Sequence, residues 1–334
     1  MRLPRFEYLE PKTVSEVCTL LDQYKGEGVK VLAGGTDILP SLKQRVIKAE
    51  YLVDLKKINE LSRINYSSNS GLQIGALTTL RALQASSHAQ QNYTALAQAA
   101  HAVGAMQHQN MGTIGGNICQ DTRCWYYNQS DFWRKSRAVC RKLGGEVCHV
   151  VKGGDRCFAV YQGDTASALI AWGAQITLQG KDNQTKTIPL KEFFSGEGKS
   201  PHLLGPAEVL TQVIIPPQPP FSGSSYQKLR LREAIDFPLA SAAVTLVLES
   251  GNGKIKDIKA VINAVGSGPI ELEEIPSLLK GNTLNDELIE RASQEAVKKA
   301  HPVANTISTP DYRKKMAGVM FKRALKAAYE EAKK

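Results

Sequence analysis

The sequence contains no run of about 18 apolar residues, so we expect no segment of it to cross a membrane. Its first residues, Met-Arg-Leu-Pro-Arg-Phe-Glu, include no apolar stretch of the kind that precedes a signal cleavage site, which predicts a cytoplasmic protein. Cysteine is also scarce: six residues are too few to staple a chain of 334, and cytoplasmic thiols stay reduced. The length and an ordinary content of 42% hydrophobic residues predict a globular protein of two domains or three lobes.

Motifs for nucleic-acid binding are missing, although the chain is basic. It has 42 Lys and Arg residues against 32 Asp and Glu residues, a net charge of +10. The cations are concentrated between Arg123 and Arg156 and in a C-terminal helix, without an RNP1, helix-turn-helix or paired Cys-x2-Cys signature. We therefore expect a solvated helix face and an anionic protein partner, and no nucleic acid.

Hydrophobic patterning predicts an α+β fold with two domains. Short strands are predicted at 29–33, 51–55, 72–76, 175–178, 225–230 and 241–248, and helices at 38–45, 94–103, 166–172, 285–299 and 310–333. A further helix should follow the capping box Thr13-Val-Ser-Glu16. The clearest linker is Pro216-Pro-Gln-Pro-Pro220, since consecutive prolines continue neither a helix nor a strand ladder. It predicts domains at 1–218 and 219–334.

Two glycine turns in the first domain point to a phosphate-bearing ligand. Val31-Leu-Ala-Gly-Gly-Thr-Asp-Ile38 has the pattern of a strand, a tight turn and a helix start, and Thr113-Ile-Gly-Gly-Asn117 repeats the glycine pair. Adjacent glycines let backbone amides approach an anion closely, while the Thr113 hydroxyl and the Asn117 amide can reach phosphate oxygens. One such turn is commonly structural, whereas two in one domain predict a diphosphate. Neither is the Gly-x-Gly-x-x-Gly fingerprint of Rossmann folds.

Five of the six cysteines are clustered in the sequence. Cys18 lies on the first helix as a small buried residue, and the others, Cys119, Cys124, Cys140, Cys148 and Cys157, fall within 39 consecutive residues. The surrounding segment, about 119–162, has weak periodicity and indicates an insert ordered by something other than a hydrophobic core. Its spacings match neither zinc ribbons nor bacterial ferredoxins. Residue chemistry alone leaves three alternatives open: zinc, no metal, or an iron–sulfur cluster whose negative charge is balanced by Arg123, Arg134, Arg137, Arg141 and Arg156.

Together these segments resemble the FAD-binding subunits of molybdenum hydroxylases, the xanthine dehydrogenase and carbon monoxide dehydrogenase family. The resemblance covers essentially the whole chain and rests on both glycine turns, on Gly163-Asp-Thr-Ala-Ser-Ala168, on Glu208-Val-Leu210 and on Tyr226-Gln-Lys228. It implies a two-lobed FAD-binding domain of the PCMH type, followed by a smaller α/β domain with an antiparallel sheet of the carbon monoxide dehydrogenase flavoprotein C-terminal type.

The resemblance also implies FAD contacts. The pyrophosphate would lie against Val31, Leu32, Ala33, Gly34, Gly35, Thr36, Asp37 and Ile38, and against Thr113, Gly115, Gly116 and Asn117. Asp164 would hydrogen-bond near the isoalloxazine or ribityl, Val103 and Leu210 would make apolar contacts, and Lys228 would approach the flavin from the second domain.

The insert resembles the one in the β subunits of 4-hydroxybenzoyl-CoA reductases, which most of the family lacks. This implies one 4Fe–4S cluster on Cys124, Cys140, Cys148 and Cys157, with Cys119 left out. It further implies electron transfer from ferredoxin through the 4Fe–4S cluster and FAD to a 2Fe–2S small subunit and a molybdopterin-containing large subunit, in anaerobic degradation of aromatic compounds. Two alternatives remain: the FAD subunit of a xanthine, aldehyde or purine dehydrogenase with the same insert, and a zinc-stabilised scaffold without redox function.

Overall fold

The N-terminal lobe is a small parallel sheet flanked by two helices. The computed structural model describes residues 2–250 and 253–334. The strands of this lobe, β1 (Glu7–Leu9), β2 (Val29–Leu32) and β3 (Tyr51–Asp54), have the order β1-β3-β2. The helix α1 (Val14–Gln23) begins at Thr13, whose side chain accepts a hydrogen bond from the Glu16 amide at 3.2 Å, as the capping box predicts. The helix α2 (Ile38–Lys43) follows the first glycine loop.

The second lobe is organised around a five-stranded sheet. Its strands are β4 (Ile64–Ser67), β5 (Gly71–Gly75), β6 (Gln175–Gln179), β7 (Thr185–Pro189) and β8 (Val209–Ile215), in the antiparallel order β4-β5-β8-β6-β7. Between β5 and β6 the chain forms α3 (Leu80–Ala85), α4 (Ser87–Asn92), α5 (Thr94–Ala102), α6 (Met106–Met111), α7 (Ile114–Ile118), α8 (Asp131–Lys135) and α9 (Asp164–Ala171). Alanines on α5 and α9 have little side chain to separate the backbones, so these two helices pack closely in one core.

The C-terminal domain is a four-stranded antiparallel sheet covered by helices. Its strands β9 (Ser222–Leu229), β10 (Ala240–Leu248), β11 (Ile255–Asn263) and β12 (Ile270–Glu271) have the order β12-β11-β10-β9. The helices are α10 (Ile275–Leu279), α11 (Asp286–Lys299) and α12 (Pro310–Ala332). Both α11 and α12 fall where apolar periodicity predicts them.

Both faces of this C-terminal sheet are buried. Side chains alternate across a strand, so Ala242 and Val244 of β10 face α11 and α12, while Ala243 joins the core of the second lobe. Tyr226 and Val261 reach the same second-lobe core. The mixed helix-and-sheet class and the antiparallel C-terminal sheet confirm the predicted fold. Within the described residues, no helix combines the length and apolar character that crossing a bilayer requires.

The insert has little core of its own, as its weak periodicity predicts. Between Arg123 and Phe158, Tyr127 and Cys157 are the only residues buried as a whole, backbone included. At its base the chain closes on itself, because Arg123 and Val160 exchange two backbone hydrogen bonds of 2.8 Å. Arg134, expected to offer its charge to a cluster, has a side chain only 9% exposed. It donates hydrogen bonds to the carbonyls of Arg45, Tyr127 and Gln129, and its role near a cluster stays a prediction.

Candidate functional site

The two glycine loops lie against each other. A Cβ atom placed on Gly34 would come within 1.8 Å of the carbonyl oxygen of Met111, which lies two residues before the second loop. Only a glycine permits this approach of the two backbones. Gly35 has a φ of +76°, in the left-handed region that favours glycine. The structure therefore brings together residues 31–38 and 113–117, as a shared ligand requires.

The first loop offers unused backbone donors. Among the described residues, the amides of Gly34, Gly35, Thr36 and Asp37 donate to no other protein group. Gly116 of the second loop is exposed, and a Cβ atom there would approach only the Thr113 hydroxyl, at 3.0 Å. Free amides beside an open glycine form a concavity for an anion, and these residues fit the pyrophosphate of FAD.

Thr113 and Asn117 have internal partners that the sequence did not reveal. The Thr113 hydroxyl accepts a hydrogen bond from the Gly116 amide at 3.1 Å. The Asn117 side-chain oxygen accepts from both the amide and the hydroxyl of Thr165, at 3.0 and 2.7 Å. These two side chains therefore shape the second loop and fasten it to α9, the helix that begins with Asp164.

Asp164 and Lys228 form a buried ion pair across the two domains. The Lys228 Nζ lies 3.1 Å from an Asp164 carboxylate oxygen, and both side chains are only 4% exposed. The Tyr226 hydroxyl donates to the other carboxylate oxygen at 2.5 Å, and Lys228 also donates to the Ala102 carbonyl at 2.8 Å. Burial raises the pKa of Asp164, while the Lys228 cation opposes that rise. Lys228 is therefore not a surface charge, and Asp164 is buried in the first turn of α9.

Val103 and Leu210 border the same region from the apolar side. Val103 ends α5 directly after Ala102, and its carbonyl accepts from the Gln109 side chain at 3.0 Å. Leu210 on β8 is buried in the core that also contains Ile114 and Ile118 of α7. Val103 is partly exposed, whereas Leu210 is buried and packs in the same core as α7.

The four cysteines singled out in the insert line one cavity. Cys124, Cys140, Cys148 and Cys157 all line this small cavity, which is partly open to solvent. All six cysteines of the chain are free thiols. In residues 2–250 and 253–334, no three His, Cys, Asp or Glu side chains converge closely enough to hold a single metal ion. The four cysteines therefore border a common space, and no three of them converge on a point.

The pKa shifts of Cys124 and Cys157 show that these thiols lie close to other members of the cysteine group and to Lys142. Burial raises the pKa of Cys124, and the neighbouring Cys140 and Cys148 raise it further. Burial also raises the pKa of Cys157 to about 11, although the nearby Lys142 cation lowers it. Thiols this hard to ionise need a compensating positive charge before they can act as ligands, which bound metal ions supply.

Cys119 lies outside the cysteine cavity, whereas His149 lines it but has other partners. Burial raises the pKa of the Cys119 thiol to about 12, and this residue does not line the cavity. His149 does line it, but its ring stacks on Tyr126 at 5.3 Å and bonds the Ala138 carbonyl at 2.8 Å.

Comparison with known proteins identifies the scaffold. Residues 4–218, more than half of the chain, match the FAD binding domain in molybdopterin dehydrogenase. Residues 224–328 match the CO dehydrogenase flavoprotein C-terminal domain. The chain belongs to the FAD-binding subunits of the molybdenum hydroxylase family. It is thus an oxidoreductase subunit.

Relatives in this family catalyse different reactions. The chain is 31% identical to the carbon monoxide dehydrogenase medium chain of Hydrogenophaga pseudoflava, over 98% of both chains. It is 29% identical to the aldehyde oxidoreductase FAD-binding subunit PaoB of Escherichia coli, over 75% of this chain and 80% of that one. In structure it resembles the carbon monoxide dehydrogenase of Hydrogenophaga pseudoflava, with a TM-score of 0.82, 29% identity and coverage of 99% of each chain.

The pairings of Arg123 and Tyr226 and the position of Lys142 were not predicted from the sequence. Arg123 pairs with Asp37 of the first loop, Tyr226 bonds Asp164, and Lys142 lies beside the cysteine cavity. Tyr226 could have been found from its place in the Tyr226-Gln-Lys228 motif. Arg123 and Lys142 carry no local signal that separates them from the other cations of the insert.

Proposed function

We propose that the chain is the FAD- and 4Fe–4S-binding electron-transfer subunit of a complex of the 4-hydroxybenzoyl-CoA reductase type. Its partners would be a molybdopterin-containing large subunit, a 2Fe–2S small subunit and ferredoxin as the external carrier. In this proposal residues 1–218 form the FAD-binding domain and residues 219–334 the C-terminal domain. The matched ranges 4–218 and 224–328 support a boundary at the proline-rich linker.

The observation that carries the proposal is the cavity shared by Cys124, Cys140, Cys148 and Cys157. These residues are 33 positions apart at most, and the insert between them lacks a core that would gather them. A cluster held by four thiolates would supply the missing order, since metal binding contributes directly to folding.

The arrangement favours a cluster over zinc. A single zinc ion takes four sulfurs at about 2.3 Å from one point. A cubane gives each thiolate its own iron, and so suits sulfurs spread around a common space. Cations near the cavity, among them Lys142 and Arg141, would balance the negative charge of the thiolate-bound cluster.

When bound, FAD would exchange one or two electrons and the cluster one electron at a time. The protein residues would bind and orient these two cofactors. The amides of residues 34–37 and the open Gly116 would hold the pyrophosphate, and the Asp164–Lys228 pair would fix α9 against β9 beside it.

The relatives support a second candidate: an FAD subunit of a different dehydrogenase that carries the same insert. They include chains named for carbon monoxide and aldehyde reactions, and a nicotinate dehydrogenase FAD-subunit from Eubacterium barkeri that is 26% identical. The glycine loops and the ion pair would serve these reactions equally well, because the substrate is transformed in another subunit.

The test is purification without air, followed by analysis of iron, acid-labile sulfide, zinc and FAD per chain. We expect four irons, four sulfides and one FAD, with a flavin spectrum and a broad shoulder that air bleaches. A colourless protein with zinc and no iron would overturn the proposal. The complex should then reduce 4-hydroxybenzoyl-CoA with reduced ferredoxin; activity only with an aldehyde or a purine would instead establish the second candidate.

The carrier can be tested separately by a salt series. Lys135 and Arg137 of the insert are exposed and should attract an acidic ferredoxin, so the ferredoxin-linked rate should fall as salt rises. A rate that does not depend on salt would remove ferredoxin docking at the insert from the proposal.

A further inference from the structure

Lys142 is a buried cation at the wall of the cysteine cavity. It lies on a 3-10 turn, Arg141–Leu143, that directly follows Cys140. Its side chain is only 4% exposed, and it lines the same space as Cys124, Cys140, Cys148 and Cys157. Among the cations of the insert it thus combines deep burial with a place beside the thiols.

The protein holds the Lys142 ammonium with three oxygens. It donates to an Asp121 carboxylate oxygen at 2.8 Å, to the Thr122 hydroxyl at 2.5 Å and to the Gly198 carbonyl at 2.8 Å. Its Nζ also lies 5.1 Å from the centre of the Tyr127 ring. The three donor positions of the ammonium are therefore filled, and the charge has a fixed location.

The charge of Lys142 is poorly balanced by these partners. Two of its acceptors are neutral, and the third belongs to Asp121, whose side chain is 45% exposed and so screened by water. Lys228, by contrast, faces a carboxylate as buried as itself. A buried ammonium without a buried counter-charge is costly, so an anion on the cavity side of Lys142 would stabilise it.

Arg141 and His149 also line the cavity, but their polar atoms are bonded to other segments of the insert. The Arg141 Nε donates to the Gly154 carbonyl at 2.8 Å, which directs the guanidinium to another segment. His149 is stacked on Tyr126 and bonded to Ala138.

We infer that Lys142 is a positioning residue for the cluster, holding a fixed positive charge that raises its reduction potential. The inference rests on the proposed function, since it assumes that the four cysteines hold a 4Fe–4S cluster. Reduction adds one electron from the external carrier and no atom, so the cluster gains one unit of negative charge. A fixed cation beside it stabilises the reduced form more than the oxidised form.

The test is a redox titration of the anaerobically purified protein, followed through the EPR signal of the reduced cluster. Lys142→Met removes the charge and roughly keeps the length of the side chain. It should lower the ratio of reduced to oxidised cluster at a given potential about tenfold, which corresponds to a midpoint potential about 59 mV lower for one electron. Lys142→Arg, which keeps the charge, should restore most of the shift. The flavin midpoint in the same titration should stay unchanged.

Lys135→Met is the matched control. Lys135 belongs to the same insert and loses the same charge, but its side chain is 77% exposed, so its removal should not move the cluster midpoint. An iron-replete Lys142→Met protein with the wild-type midpoint would overturn the inference and leave the cluster assignment intact. Absence of iron from the wild-type protein would instead overturn the proposed function.

Asp121→Asn keeps the inference testable if Lys142→Met fails to fold or to retain iron. Asp121 is half exposed, so this substitution should be tolerated, and it leaves the Lys142 charge less balanced. The cluster midpoint should then rise, by less than it falls in Lys142→Met because water screens the Asp121 carboxylate. An unchanged or lower midpoint in Asp121→Asn would contradict the inference.

Discussion

Arg123 donates a hydrogen bond of 2.6 Å to Asp37, which joins the cysteine-bearing insert to the first glycine loop. The same guanidinium lies 4.5 Å from the centre of the Phe237 ring in the C-terminal domain. Arg123 directly precedes Cys124, so one residue connects the candidate cluster site, the candidate pyrophosphate site and the second domain. The insert is therefore not an ordering unit separate from the glycine loops.

Arg123→Gln should weaken FAD binding. Removal of the guanidinium leaves the Asp37 carboxylate unpaired beside the bound pyrophosphate, and like charges repel. The pair is partly exposed, so we expect a loss of about 1 kcal/mol, roughly a fivefold rise in the Kd for FAD measured by flavin fluorescence. Arg137→Gln is the control, because Arg137 stacks on Trp133 away from the loop. Equal Kd values for both variants would contradict the role given to Arg123.

The cysteines should divide into two sets. Alanine at Cys124, Cys140, Cys148 or Cys157 should abolish the 4Fe–4S signal, since three thiolates seldom hold a cubane firmly. Alanine at Cys119 or Cys18 should preserve it, because neither residue lines the cavity. All six variants should retain most of their FAD, because none of these cysteines belongs to either glycine loop. Iron and flavin per chain provide the measurement, and loss of iron from Cys119→Ala with retention in Cys124→Ala would refute the assignment.

Valine in the glycine loops should expel FAD in two distinguishable ways. Gly116→Val should lower the thermal midpoint of the FAD-free protein only slightly, because a Cβ atom there approaches only the Thr113 hydroxyl, at 3.0 Å, yet it should abolish FAD retention. Gly35→Val should lower the thermal midpoint more, since its φ is +76° and its Cβ would approach Leu39 at 2.9 Å.

Gly26→Val separates strain from ligand contact in that experiment. Gly26 has a similar φ of +87° with no neighbour within 4 Å, so valine should destabilise the fold but leave FAD bound. Stoichiometric FAD in both Gly35→Val and Gly116→Val would show that the loops do not hold the pyrophosphate.

The Asp164–Lys228 pair should behave as a coupled unit. Lys228→Met leaves a carboxylate buried without its cation and should cost about 3–5 kcal/mol of unfolding free energy in urea. The double variant with Asp164→Asn should recover part of that loss, because no buried charge remains. Bound flavin in Lys228→Met should show a shifted midpoint potential. Additive losses in the double variant would mean that the two residues do not interact.

His202 should make the protein less stable in mild acid. Burial among Tyr161, Phe193 and Phe194 lowers the pKa of His202 to about 4, against a small opposite effect of the Ile118 carbonyl. The folded state thus resists protonation that the unfolded state accepts below its pKa of about 6.5. Stability from this residue is present above pH 6.5 and is lost as the pH falls from 6.5 towards 4, by roughly 3 kcal/mol at most. Urea unfolding between pH 7 and pH 4 should show a shallower decline in His202→Phe; identical curves would exclude the effect.

Local features of this fold could be predicted from sequence, whereas long-range pairing could not. The capping box at Thr13 and the periodicity of 310–333 are local, and both helices occur where expected. The position of β8 between β5 and β6 depends on strands distant in sequence, which periodicity does not encode. The same limit applies to the hydrogen bond that Arg134 donates to the Arg45 carbonyl, 89 positions away in the sequence.

The closed base of the insert has an evolutionary consequence. Arg123 and Val160 form an isolated antiparallel bridge with two backbone hydrogen bonds, so the chain leaves the scaffold and returns to it at one point. A two-residue hairpin turn can join such a pair, so an ancestor without the insert needs no change in the path of the chain on either side. A single insertion event at this point suffices to add the segment, and its loss by deletion is equally direct.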